Sequence, residues 1–335
     1  MNQVNSPPPR RVRLIAGVAA LAVLAAACGS GKSTPSATTT SRRGTADQIA
    51  ASVASYELIA GRPQRFIVGV LRADRQRLVS FGTVEMAFAY MGTKDAPVTK
   101  ASSSFQAVGR FLPIPGQHVD PNTPGPNFVE GSQGTGVYGA EPVTFDRAGF
   151  WRVRVTAAIA GRTYNADGDF EVVEHNVIPA PGDAAPKTEN AVAGAAGVDP
   201  RSIDSRADAT TPIPDAELHT TSIAAAIAAH RPLMVVVSTP TYCVSRFCGP
   251  ITDSVEALAK RYGTRMAFVH LEVWKSFDAG AINAAAGQWI YPTGTGDARE
   301  PWAFTVGTDG VIKARFDNVA TDDELQKAVT DLVGP

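Results

Sequence analysis

Cysteine is scarce, with three in 335 residues. That is too few for a disulfide framework or a four-thiolate zinc site, so the placement of each thiol must carry any argument about redox or metal chemistry. Histidine is also sparse, five and scattered. Neither sign of charge is in excess: 31 Lys plus Arg stand against 32 Asp plus Glu. No global field is therefore present to draw in nucleic acid or an anionic surface. The apolar run Leu14 to Leu24 is about eleven residues, short of the roughly 20 that span a bilayer as a helix. Against these shortages, 44% of the chain is hydrophobic, enough for two ordinary domains with their own cores.

The amino terminus carries Arg10, Arg11 and Arg13 with no acid, then the apolar run, then Ala25-Ala26-Ala27 before Cys28. A positive region, a short apolar region and a small-residue ending describe an export signal. The stretch Gly29-Ser30-Gly31-Lys32-Ser33-Thr34 looks like half a phosphate-binding loop. Such a loop needs a glycine where Ala26 stands, a buried strand before it and a helix after it, and the Ser/Thr/Pro-rich tract that follows has too little apolar content to fold. The Ala-Ala-Ala-Cys ending resembles the lipobox of bacterial lipoproteins, with Ala25 where Leu usually stands. The resemblance implies a signal peptide over 1–27, lipidation of Cys28, a disordered tether over 28–48 and anchoring on the extracytoplasmic face of the cell membrane.

Residues 49–175 begin with a short amphipathic stretch and continue as short alternating or apolar runs, such as "RFIVGVL", "VEMAFAYM" and "GFWRVRVTAAI", separated by Gly, Pro, Asn and Asp. The pattern predicts an antiparallel β-sandwich. "FDRAGFWRVRVTA" resembles the opening of a late strand in immunoglobulin-like domains, without their cysteines. Residues 176–215 are rich in Pro, Ala, Gly and Asp with no sustained period, and read as a linker or an extended strap.

From 216 to 335 the order becomes helix, strand, helix, strand, an irregular helical region, a hairpin turning at Asp309-Gly310, and a last helix opened by a capping box from Thr321 to Glu324. Between the first strand and its helix lies "STPTYCVSRFCGPITD". The Cys248-Gly249-Pro250 tripeptide, its position and the later Pro301 resemble a thioredoxin-like domain. That resemblance implies an α/β fold, a redox pair at Cys243 and Cys248, and Pro301 facing the thiols in a cis peptide. Thioredoxins separate their cysteines by two residues; here the spacer is four and Ile251 occupies the second thiol's place. Residues i and i+5 of a helix have Cα atoms about 8.7 Å apart, outside disulfide range, so oxidation requires the segment from Cys243 to Cys248 to be a loop.

Pro250 suits a first helical turn, which puts Cys248 at the helix start, where unpaired N–H groups and Arg246 favour its thiolate. Cys248 is accordingly the expected attacking thiol and Cys243 the resolving one. The buried acid that thioredoxins carry in the preceding strand is absent, and Glu272 or Glu300 can replace it only if folded close to the thiols. The implied activity is thiol-disulfide exchange with extracytoplasmic protein thiols or disulfides, with no cofactor and no resident metal. Two alternatives stand beside it. "TPTYCVSRFC" is similar to the Cys-x4-Cys stretch of atypical peroxiredoxins, which would make Cys243 peroxidatic, although Pro240 replaces that family's threonine. A static disulfide in a surface binding module is the non-enzymatic alternative. His270 with the two thiols would match the donor set of the copper-chaperone branch of the fold, although spacing favours a core histidine. Trp274, Trp289 and Trp302 read as core or pocket lining.

Overall fold

The computed structural model describes residues 48–335 apart from 99–102, 118, 121, 209, 211, 244, 246 and 295–298. Cys28, the leader and the tether lie outside the described residues, and so does Arg246. Among the described residues, no helix is long and apolar enough to cross a membrane.

Nine strands come first: β1 (Ile49–Val53), β2 (Gln64–Arg72), β3 (Leu78–Ser80), β4 (Thr83–Gly92), β5 (Ser103–Pro113), β6 (Asn127–Val129), β7 (Gly136–Val143), β8 (Gly149–Ile159) and β9 (Arg162–Val172). All pair antiparallel in one hydrogen-bonded sheet of order β6-β3-β2-β7-β5-β4-β8-β9, with β1 added to β2. The period-2 pattern explains which face each residue takes. On β8, Trp151, Val153, Val155, Ala157 and Ile159 are buried, while Arg152 and Arg154 point out to Asp169 and Asp167, their cross-strand partners on β9, at 2.6 and 2.7 Å. The sheet curls until its ends meet: a Cβ on Gly168 of β9 would stand 3.1 Å from Val53 on β1, so this approach uses the bare glycine backbone. Inside lies an aromatic cluster in which Phe66 meets Phe88 edge-on at 4.9 Å and Phe145 meets Trp151 at 5.1 Å.

Residues 176–215 then run as an extended strap with buried contacts. Ala184 bridges to Val311, Ile178 and Ala185 join the carboxy-terminal core, and Thr188 accepts the Trp289 indole N–H at 2.9 Å. A 3-10 turn at Ala216–His219 leads into α1 (Ile223–Ala228), β10 (Leu233–Ser238), α2 (Cys248–Tyr262) and β11 (Ala267–Glu272). A small hairpin, β12 (Trp274–Ser276) and β13 (Ala281–Ile282), precedes α3 (Ala284–Ile290), β14 (Trp302–Val306), β15 (Ile312–Asp317) and α4 (Asp322–Val333). The second sheet has the order β11-β10-β14-β15, with β10 and β11 parallel and the other pairs antiparallel.

Every residue of β10 and β11 is buried, as expected of strands covered on both faces. Leu233, Val235 and Val237 pack with α1 and α3 on one face, and Met234 and Val236 pack with α2 and α4 on the other. The capping box of α4 forms, with Thr321 N–H donating to Glu324 Oε2 at 2.7 Å and Glu324 N–H to Thr321 Oγ1 at 3.1 Å.

The two sheets belong to one compact unit of the chain. Arg65 of β2 is a buried tie between them. Its guanidinium donates to the Val319 carbonyl and pairs with Glu324 at 2.9 Å and Asp317 at 3.6 Å. Its side chain is only 7% exposed and that of Asp317 12%, so removing the cation leaves a desolvated carboxylate without its partner. Arg65→Met is expected to destabilise the protein by about 3–5 kcal/mol in urea unfolding, the range for breaking a buried pair; a loss below about 1 kcal/mol would place this contact with ordinary surface pairs.

Candidate functional site

The carboxy-terminal end of β10 delivers the chain into the cysteine loop. Ser238 is the last residue of β10, and its hydroxyl meets that of Thr252 on α2 at 2.7 Å, while Thr252 also donates to the Cys248 carbonyl at 2.7 Å. These bonds fasten the first turn of α2 to the strand before it. Cys243 and Cys248 form a disulfide with their Cα atoms 6.0 Å apart. Cys243 lies in the loop and Cys248 is the first residue of α2, so the four-residue spacer adopts the loop that its length demands.

Accessibility divides the two cysteines. Cys248 is 0% exposed, whereas Cys243 is partly exposed with its sulfur 3.2 Å from the Ser245 hydroxyl. Among the described residues no side chain caps the first turn of α2, and no acidic residue lies in that turn, so the local field there favours negative charge on the Cys248 sulfur. Pro250 sits in that same turn, where its missing N–H costs nothing.

Of the two acids considered from sequence, Glu300 is the one beside the thiols. A carboxylate oxygen of Glu300 and the two sulfurs all lie within 4.8 Å of one another. Glu272 is otherwise engaged: its oxygens accept the backbone N–H groups of Ser205 at 2.9 Å and Trp274 at 3.1 Å. Burial, with repulsion from Glu272 added, pushes the Glu300 carboxyl up to about 7. The peptide between Glu300 and Pro301 is cis, and Pro301 is buried where β14 begins.

The nine-stranded sheet supplies residues here that sequence reasoning missed. Tyr56, between β1 and β2, donates its hydroxyl to the Glu300 carbonyl at 2.7 Å, and its backbone N–H bonds Asp317 at 2.5 Å. Burial, together with Asp317 and Glu300, pushes its phenol upward, which keeps the donor protonated. Phe247, immediately before Cys248, packs with Ile67, Val137, Leu112 and Val319. An isolated tyrosine and a phenylalanine carry no sequence signal for these roles, which exist only once the two sheets meet.

His270 does not join the thiols. Its Nε2 lies 3.3 Å from the Ser238 carbonyl and its Nδ1 faces Asp204 at 3.6 Å. Trp289 and Trp302 are buried in the core and Trp274 packs at its margin.

The raised Glu300 carboxyl makes stability depend on pH in a defined direction. Below its ordinary value of 4.5 it is protonated whether the chain is folded or not, so the contribution is fully present; it is lost as pH rises through about 7. With the disulfide oxidised, Glu300→Gln should match the parent near pH 4 and exceed it at pH 8 by about 1–2 kcal/mol, allowing for partial solvent screening. Urea unfolding across pH tests this, and a pH-independent difference would contradict it.

No family model matches the chain, and no curated protein does. Among solved structures, the crystal structure of BslA, a bacterial hydrophobin, is similar at 12% identity and a TM-score of 0.20, covering 40% of this chain and 100% of that one; at that score the likeness carries no weight for fold or activity.

Proposed function

We propose that the protein is an extracytoplasmic thiol-disulfide oxidoreductase with a thioredoxin-like carboxy-terminal domain, held at the membrane through Cys28. The observation that carries this is a disulfide between a partly exposed cysteine and a buried one at a helix start, with a raised carboxyl beside both sulfurs. The β11-β10-β14-β15 order and the cis peptide before Pro301 agree with the thioredoxin-like reading.

Burial argues for roles opposite to those expected from the Cys-Gly-Pro tripeptide. A partner thiolate can approach Cys243 but not Cys248. It attacks the Cys243 sulfur, the Cys243–Cys248 bond breaks, and Cys248 departs as a thiolate into the field of the α2 amino terminus; a low-pKa thiol leaves faster. A second partner thiolate then displaces Cys243 from the mixed disulfide. Two electrons and two protons pass from the partner dithiol to the cysteine pair. Glu300, titrating near neutrality, takes a proton from the incoming thiol and returns one to the departing sulfur. The nine-stranded sheet serves as a support that fixes the Glu300 and Phe247 backbones.

Single-cysteine variants separate these roles. Cys248→Ser leaves Cys243 as a partly exposed thiol and should accumulate a mixed disulfide with a model peptide whose own two cysteines are joined in a disulfide, the peptide's disulfide breaking as the mixed one forms, whereas Cys243→Ser should trap little. Both variants should lose net exchange. More trapping by Cys243→Ser would reverse the roles, and undiminished exchange in either variant would end the oxidoreductase proposal in favour of a static clip.

A further inference from the structure

Where the strap meets β11, four ligand-type side chains converge without bonding one another. Asp204 and Asp215 come from the strap, His219 from the 3-10 turn and His270 from β11, and all four are buried. One ligand atom from each lies within 4.8 Å of all the others. His270 Nδ1 is 3.6 Å from Asp204 Oδ2, and His219 Nε2 is 3.9 Å from Asp204 Oδ2 and 3.8 Å from Asp215 Oδ1. Those separations are too long for hydrogen bonds. His219 is 1% exposed, yet neither of its ring nitrogens has a partner among the described residues, and His270 Nδ1 and Asp215 Oδ1 are likewise unpartnered among them. Buried polar atoms are ordinarily satisfied, so this concentration of orphans around one point calls for an occupant.

The spacing and the outer contacts describe that occupant. A tetrahedron with arms of about 2.0–2.1 Å has edges of about 3.3–3.4 Å, within a few tenths of an ångström of the three separations above. His270 Nε2 faces the Ser238 carbonyl, where an N–H donates, which leaves the Nδ1 lone pair toward the cluster; a histidine that binds a metal is held in this way by its other nitrogen. Arg206 Nη2 donates to Asp204 Oδ2 at 2.8 Å and to Asp215 Oδ2 at 2.6 Å, orienting both carboxylates and offsetting one of their two charges.

We propose that Asp204, Asp215, His219 and His270 bind one divalent transition-metal ion of the zinc class in a closed, four-ligand site. With all four positions filled by protein, the site is structural. It pins the strap to β11. The effect reaches the disulfide loop through the residue after Asp204: Ser205 bonds Glu272 through its backbone and accepts the Thr241 N–H at 3.1 Å, two residues before Cys243. The proposal is independent of the redox reading.

The test uses the chain with its disulfide oxidised, stripped by a chelator and titrated with Zn2+ and separately with Co2+. One equivalent per chain, the visible absorption of tetrahedral Co2+ and a higher Tm with zinc are expected. His219→Gln and Asp215→Asn should each remove that equivalent, and the Cys243→Ser, Cys248→Ser double variant should keep it. The proposal is overturned if the parent chain binds no stoichiometric metal, if both ligand variants still bind it, or if only the thiol variant loses it. Should the ligand variants fail to fold, X-ray absorption on the zinc-loaded parent decides. Four nitrogen and oxygen neighbours at about 2.0–2.2 Å with imidazole scattering support the site, and a sulfur-containing or six-coordinate shell overturns it.

Discussion

The buried cation of Arg65 is the constraint on which the arrangement turns. It leaves β2 of the nine-stranded sheet and finds Asp317 at the end of the last strand, Glu324 in the last helix and the Val319 carbonyl in the connection between them. Desolvating a guanidinium and two carboxylates is costly, and the Val319 carbonyl and the two carboxylates offset part of it, while the Arg65 Nε is left without a hydrogen-bond partner among the described residues. Once the tie is made, the segment between β1 and β2 is pressed against the second sheet. Tyr56 then shares Asp317 and reaches the Glu300 carbonyl, Arg315 pairs with Glu57 at 2.7 Å, and Asn318 donates to Ala54 at 3.1 Å. The first sheet thereby fixes the backbone that carries Glu300 and the residue that precedes Cys248.

The electrostatics of the cysteine site follow from that enclosure. Glu300 is pushed up because it is buried and because Glu272 faces it, while Glu272 spends its oxygens on backbone donors. A carboxyl so placed exchanges protons near neutrality. Cys248 is fully enclosed at the start of α2, where the local field favours a thiolate, and only Cys243 meets solvent. One cysteine of the pair is partly exposed and the other is enclosed.

Much of this was legible in the sequence wherever a local pattern sufficed. β8 runs over the same residues as "GFWRVRVTAAI", because each inward position is apolar and each outward one tolerates charge. The capping box, the Asp309-Gly310 turn and the loop imposed by the Cys-x4-Cys spacing are likewise local. The strap was illegible as an ordered element, since Pro, Gly and Asp carry no period and its order comes from contacts with distant residues such as Trp289 and Glu272. Tyr56, Phe247 and the meeting of His219 with His270 arise in the same way, from parts of the chain far apart in sequence. The tripeptide marks Cys248 correctly as a helix start, but which cysteine is enclosed depends on what covers it, which no local pattern records.

The most direct test of the account is the reduction potential of the Cys243–Cys248 pair, measured by equilibration against glutathione. An exchanging pair with a stabilised Cys248 thiolate predicts a value near or above about −200 mV. A value below about −300 mV would contradict the account and make the bond a structural clip.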